Sequence, residues 1–331
     1  MGGWDSIKES HPPGRPRAFV FDMSQFPDEQ TSEGEFQRQE DAFRDWVEDS
    51  PQADYPAESG RYHLYVSLAC PWAHRTLIAR KLFGLEAAIS VAIADPVRDR
   101  RGWAFREGKG HAPDAVNGFH YLAEAYAASE AHFRGRVTVP VLWDKVRRRI
   151  VNNSEDDLCR MFQFAFARFH TRKADWFPAA LAEEQSSLSQ TIYENVNNGV
   201  YRAGFASRQR PYEQAVCRLF ATLDELEQRL EKRRFLFGGE WVETDWRLFC
   251  TLIRFDPVYY GHFKCNLRRI VDYPNLLGFL RDLYQWPGIA ETVDFDHIKR
   301  HYYYTHADIN PTRIVPVGPD LSYLDSPANR G

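Results

Sequence analysis

Apolar positions divide the chain into a strand-and-helix half and a helical half. His63-Leu64-Tyr65-Val66-Ser67 is a short, nearly continuous apolar run and reads as a buried strand. It leads through Cys70-Pro71 into a stretch where Leu77, Ile78, Leu82 and Leu85 recur at helical spacing, with Gly84 near its end. Pro71 suits a first helical position, having no N–H to leave unpaired. A second strand is predicted over 88–94, followed by a polar, Gly-containing loop to about residue 118. Next comes the apolar run Val137-Thr138-Val139-Pro140-Val141-Leu142-Trp143. A central strand tolerates proline badly, so Pro140 is expected to start the strand or follow a cis bond. After a turn over 144–149, Ile150-Val151 begin a partner strand. Ser154-Glu155-Asp156-Asp157 then open a helix whose acidic first turn complements its dipole. The order strand, helix, strand, strand, strand, helix predicts a thioredoxin-like α/β layer.

Residues 1–60 are rich in Pro, Asp, Glu and Ser and read as an extended arm. One short helix is predicted in it at 36–47, where Phe36, Phe43, Trp46 and Val47 recur at helical spacing. From about residue 158 the pattern turns helical. It is clearest over 212–233, with Val216, Leu219, Phe220, Leu223, Leu226 and Leu230 on one face. Further helices are predicted over 245–254 and 275–284, and the proline-bearing tail after Thr305 is expected to be irregular. The expected organisation is an arm (1–60), a thioredoxin-like domain (61–165), an all-helical domain (166–304) and a tail (305–331).

Length and charge agree with that division. The 331 residues, 44% of them apolar, suit two cores. A net charge of −4 calls for no nucleic-acid partner, and Arg147-Arg148-Arg149 reads as a solvated turn. The first twenty residues hold no apolar signal core, and no run approaches the roughly 18 apolar residues of a membrane span. A soluble, cytoplasmic protein is expected. The five cysteines, odd in number and without CxxC spacing, point away from disulfides and zinc and towards a reducing compartment. His297 and His301 are four apart but lack an evident third ligand, so no metal is expected.

Cys70 is the foremost candidate for chemistry. At a helix N-terminus after a strand, its thiolate is favoured by the helix's positive end, which lowers the expected pKa. His74 and Arg75 add positive potential from the first turn. Such a cysteine can attack sulfur and form a mixed disulfide, and without a second cysteine an outside thiol must release it. A cis-Pro140 facing that helix lets the backbone of Val139 pair with a peptide-like ligand. Ser154 and Glu155 open another helix, where free N–H groups suit a carboxylate and Glu155 suits an ammonium group, as in a γ-glutamyl end. Helix capping alone explains the pair equally well. Among the 16 tyrosines, those at 201, 259, 260 and 302–304 are candidates for stacking on an aromatic substrate and donating a proton.

These stretches resemble the glutathionyl-hydroquinone reductases, the xi-class glutathione transferases. The likeness runs through Tyr65 to Arg75, Gly135 to Asp144, Asn197 to Ala206, Arg254 to Tyr259, Phe263-Lys264-Cys265 and Pro287 to Val293. The resemblance implies a glutathione transferase architecture, usually a homodimer, with glutathione as co-substrate and aromatic glutathionyl conjugates as substrates. It implies reduction of S-glutathionyl-hydroquinones through a Cys70–glutathione mixed disulfide. Tyr201 matches the family's proton donor, and Tyr259 and Tyr302 match tyrosines that help hold the thiolate. Trp103 and the segment Arg136, Val137, Thr138, Val139 and Pro140 match the glutathione site. The family's acidic-residue-then-Ser pair is reversed here as Ser154-Glu155, Tyr304 stands where relatives often carry Arg, and Val242 replaces a capping Ser or Thr. The alternatives are a glutaredoxin-like thiol oxidoreductase, a dehydroascorbate reductase, or a non-catalytic binding module on the same fold.

Overall fold

The computed structural model describes residues 29–330; residues 1–28 of the expected arm, and the first twenty residues read for a signal core, lie outside them. Strand β1 (Tyr62–Val66) is buried along its whole length. It pairs in parallel with β2 (Ile89–Ile93) and antiparallel with β3 (Val141–Asp144), which pairs antiparallel with β4 (Arg149–Asn152). The sheet order is β2-β1-β3-β4. A parallel β1–β2 pair requires a crossover, and helix α1 (Pro71–Leu82) supplies it. Helix α3 (Glu155–Phe164) packs beside α1.

Two expectations need correction. The layer holds a helix absent from the predicted order, α2 (Leu122–Ser129), which packs against β4. Its signal was present but short: Glu124 accepts the N–H groups of His120 and Tyr121, and Leu122, Ala125 and Tyr126 are buried. Residues 36–47 form no helix. Phe36, Phe43 and Val47 are buried as their spacing suggested, but Trp46 stays 43% exposed, and the backbone is extended. Its N–H and C=O groups find partners on edge strand β4 and the residue after it: Asp45 N–H donates to Val151 O, and Asn153 N–H donates to the Phe43 carbonyl, both at 3.1 Å. The arm covers a sheet edge that would otherwise be open.

The second half is helical: α4 (Ala182–Ile192), α5 (Gly199–Gly204), α6 (Gln209–Arg229), α7 (Glu243–Arg254), α8 (Pro274–Tyr284) and α9 (Phe295–Thr305). All twelve residues of α7 are buried, and it packs against α1, α4 and α8. Asp245 caps it, accepting the N–H groups of Val242 at 2.9 Å and Leu236 at 2.8 Å. Wide π turns at Tyr193–Asn197 and Phe255–Tyr259 precede α5 and extend α7. Such turns re-aim side chains, and here they flank Tyr201 and carry Tyr259. The tail is irregular apart from one short turn at Ser322–Asp325. Among the described residues, no helix is long and apolar enough to cross a membrane.

Candidate active site

The strand-to-helix turn aims Cys70. Its N–H donates to the Ser67 carbonyl at 3.1 Å, and its own carbonyl accepts from His74 N–H at 2.9 Å, so it is the N-cap of α1. Its Sγ lies 3.6 Å from the carbonyl of Val139, the residue before cis-Pro140. Cys70 is half-buried at the floor of a cleft of about 950 Å³. Burial pushes its thiol up, and this outweighs the N–H groups of Ala73 and Trp72 and the Arg254 guanidinium, which pull it down. The expected depression at a helix start is therefore not the resting balance. A thiol that donates to a carbonyl is the form this geometry holds.

Behind Cys70 lies a buried clamp. Arg254 donates from Nε to the Ala69 carbonyl, from Nη2 to the Leu68 carbonyl and from Nη1 to the Cys250 carbonyl, each at 2.9 Å. Its Nη1 also meets His74 Nδ1 at 3.0 Å, and His74 Nε2 meets Thr292 Oγ1 at 2.8 Å. Thr292 donates its own proton to Ile289 O, so the network assigns His74 as a neutral imidazole protonated on Nε2. Burial and Arg254 hold its pKa well below the ordinary value, in agreement.

Across the cleft the phenols form a chain. Tyr201 Oη is 2.5 Å from Tyr302 Oη, which is 3.0 Å from Tyr259 Oη. Burial raises all three, and in Tyr201 the negative charge of an ionised Cys70 raises the phenol further. A thiolate formed here keeps the proton on its neighbouring donor.

The cleft brings together most of the residues singled out from the sequence. Cys70, Trp103, Arg136, Val137, Thr138, Val139, Tyr201 and Tyr302 all line it. Tyr259 lies behind Tyr302, fully buried. Pro140, Ser154 and Glu155 are not part of the lining. The Glu155 carboxylate turns to Arg75 at 3.0 Å, in a buried network where Arg75 and Arg247 also hold Asp156 and Glu243. That network ties α1, α3 and α7 together. Trp103 stacks on His301 with ring centroids 4.9 Å apart, and its indole N–H is buried without a partner among the described residues. His297 and His301 each spend a ring nitrogen on a backbone carbonyl, of Lys109 and Pro96, at 2.7 Å. Among the described residues no group of three metal-ligating side chains occurs.

Sequence reasoning missed the arm's share. Phe36, Arg38 and Glu29 line the cleft, with Glu29 paired to Arg136 at 2.8 Å. It also missed the cationic lining: seven arginines against three acidic residues. Burial, and then the neighbouring Arg136, push Arg98 down to about 9.

A family model of the glutathione S-transferase N-terminal domain matches residues 69–163, and one of the C-terminal domain matches residues 209–282. Among curated proteins, the chain is 49% identical to the glutathionyl-hydroquinone reductase YqjG of Escherichia coli, covering 92% of this chain and 94% of that one. The glutathione-bound structure of YqjG superposes with a TM-score of 0.84, over 87% of this chain and 96% of the other. The glutathionyl-hydroquinone reductase PcpF of Sphingobium chlorophenolicum is 46% identical, over 88% of this chain and 92% of that one. A xi-class transferase from Natrialba magadii superposes with a TM-score of 0.85 at 49% identity, over 87% and 88% of the two chains.

Proposed function

Because this chain belongs to the xi class of glutathione transferases, the glutathionyl-hydroquinone reductases, we propose that it uses Cys70 to strip glutathione from S-glutathionyl-hydroquinones. The observation that carries the reading is the shared cleft, which the Cys70 thiol and the phenols of Tyr201 and Tyr302 face, with Tyr259 hydrogen-bonded behind Tyr302. The Cys70 thiolate attacks the sulfur of the conjugate. The carbon–sulfur bond breaks with its electron pair passing to the ring, and Tyr201 protonates the ring carbon that held the sulfur. Hydroquinone leaves, and Cys70 carries glutathione as a mixed disulfide. The thiolate of a second glutathione attacks that disulfide, releasing glutathione disulfide and the Cys70 thiolate. Tyr302 and Tyr259 hold the Tyr201 hydroxyl in line and share its proton.

On the ligand side, Trp103 offers its unpartnered indole N–H. Arg136 offers charge, and the segment 137–139 beside Pro140 offers backbone groups to a peptide-like glutathione. The Glu155 side chain, which Arg75 holds outside the cleft lining, is not counted on for the γ-glutamyl end. The enzyme works as a homodimer in the reducing cytoplasm, in keeping with five cysteines that are all free.

The test is hydroquinone release from a glutathionyl-hydroquinone in the presence of glutathione, followed by chromatography. Cys70→Ala abolishes it. Tyr201→Phe slows it by about 10²–10⁴ while still accumulating the Cys70 adduct with small glutathionyl disulfides. Undiminished release by Cys70→Ala, or small mixed disulfides turning over faster by orders of magnitude, overturns the reading.

A further inference from the structure

We propose that Arg38 selects conjugates whose aromatic ring carries a carboxylate. This deepens the function proposed above and rests on it. Arg38 comes from the arm, far in sequence from the nucleophile. Its guanidinium carbon lies 4.8 Å from the ring centroid of Trp72, 4.9 Å from that of Tyr201 and 5.4 Å from that of Phe36. Trp72 is two residues beyond Cys70, and Tyr201 is the proton donor. A substrate ring whose carbon takes its proton from Tyr201 therefore sits beside this cation.

The guanidinium is held rather than free to swing. Its Nε donates to Asn198 Oδ1 at 3.1 Å, and the aromatic faces fix its plane. Nη2, with its two N–H groups, is buried and has no partner among the described residues. A buried N–H without an acceptor is costly, and an ionised acceptor on a ligand removes that cost.

The cleft's charge points the same way. Its lining carries four more cationic than acidic side chains, although the chain as a whole has a net charge of −4. Glutathione brings two carboxylates and one ammonium group, a net single negative charge, which Arg136 and Arg98 meet on the Trp103 side. On the side of the ring the cation is Arg38, with Asp41 in electrostatic reach of it. Arg38 also pulls the Tyr201 phenol down against its burial, so the same cation that draws the substrate favours proton release.

The experiment compares kcat/KM for a glutathionyl-hydroquinone and for the same conjugate with a ring carboxylate, in the natural protein, Arg38→Met and Arg38→Lys. In parallel, calorimetry on Cys70→Ala measures binding of the free products, hydroquinone and dihydroxybenzoate, so that the answer does not depend on turnover. The natural protein prefers the carboxylated partner by about tenfold or more in both assays, as one charge-assisted hydrogen bond allows. Arg38→Met brings the ratio to about one, mainly through KM, and Arg38→Lys restores part of it. Equal treatment of the two ligands by the natural protein, or a preference that survives in Arg38→Met, overturns the inference. Failure to turn over either conjugate overturns the function proposed above, and the binding ratio still decides the role of Arg38.

Discussion

Arg254→Met tests the idea that the helical half of the molecule holds the Cys70 turn in place. Arg254 is fully buried and reaches across the chain to two carbonyls that immediately precede Cys70. Removing the guanidinium unpairs the Leu68 and Ala69 carbonyls and His74 Nδ1. The Cys250 carbonyl lies inside α7 and keeps its place in the helix ladder. Two buried groups and the partly buried Leu68 carbonyl, left without a partner, cost up to about 1–3 kcal/mol each. Against that stands the desolvation of a buried cation, several kcal/mol that the variant no longer carries. The expected net loss is about 3 kcal/mol, a factor of roughly 10² in the folded-to-unfolded ratio. Urea titration followed by tryptophan fluorescence measures it. A second readout separates clamping from bulk stability. At a urea-free temperature where the variant is folded, Cys70 alkylates with altered kinetics and hydroquinone release falls, because its turn has lost its frame. Arg254→Lys keeps the charge but lacks the fork, and recovers only a part. A midpoint shift worth less than about 1 kcal/mol, with unchanged Cys70 alkylation, refutes the reasoning.

Two further outcomes follow from protonation. The Cys70 thiol is raised by burial, so its iodoacetamide rate climbs through a midpoint above the free-thiol value of about 8.5, and a midpoint below 7 refutes a burial-dominated site. His301 is buried and donates to the Pro96 carbonyl, and burial lowers its pKa from 6.5 to about 3. The unfolded chain then binds the extra proton first, so stability is lost as pH falls from 6.5 towards 3, by at most about 5 kcal/mol. His301→Gln, which can still donate to Pro96, shows a shallower fall in urea midpoint between pH 7 and 4, and an unchanged slope refutes the assignment.

What the sequence made legible was local. A strand that runs into Cys-Pro and a helix needs only neighbouring residues to declare itself, and β1, α1 and the cis-Pro140 turn fall where the pattern put them. The tyrosines were visible as residue types, but the hydrogen-bonded chain from Tyr201 to Tyr302 joins positions 101 residues apart, and no periodicity encodes it. The arm shows the same limit from the other side. Phe36, Phe43 and Val47 satisfy a helical spacing, yet apolar spacing says only which side chains are buried. Whether the backbone coils depends on where its N–H groups find acceptors. Edge strand β4 offered them, which no reading of residues 36–47 alone reveals.

The electrostatics of the site were hidden for the same reason, and they alter how Cys70 is understood. A helix N-terminus favours a thiolate, but the favour is a fraction of a charge acting over one turn. Packing α7 and the arm around Cys70 removes water, and desolvation acts on the whole charge. The second effect wins at rest, and the sulfur donates to Val139 rather than standing ionised. On the proposed function, reactivity then depends on what arrives. A peptide-like ligand that takes over the Val139 carbonyl deprives the thiol of its acceptor, and the N–H groups of Trp72 and Ala73 are left as its nearest partners. If Cys70 is the nucleophile proposed above, its activation rests on the ligand that takes its acceptor away, which the alkylation profile with and without glutathione would show.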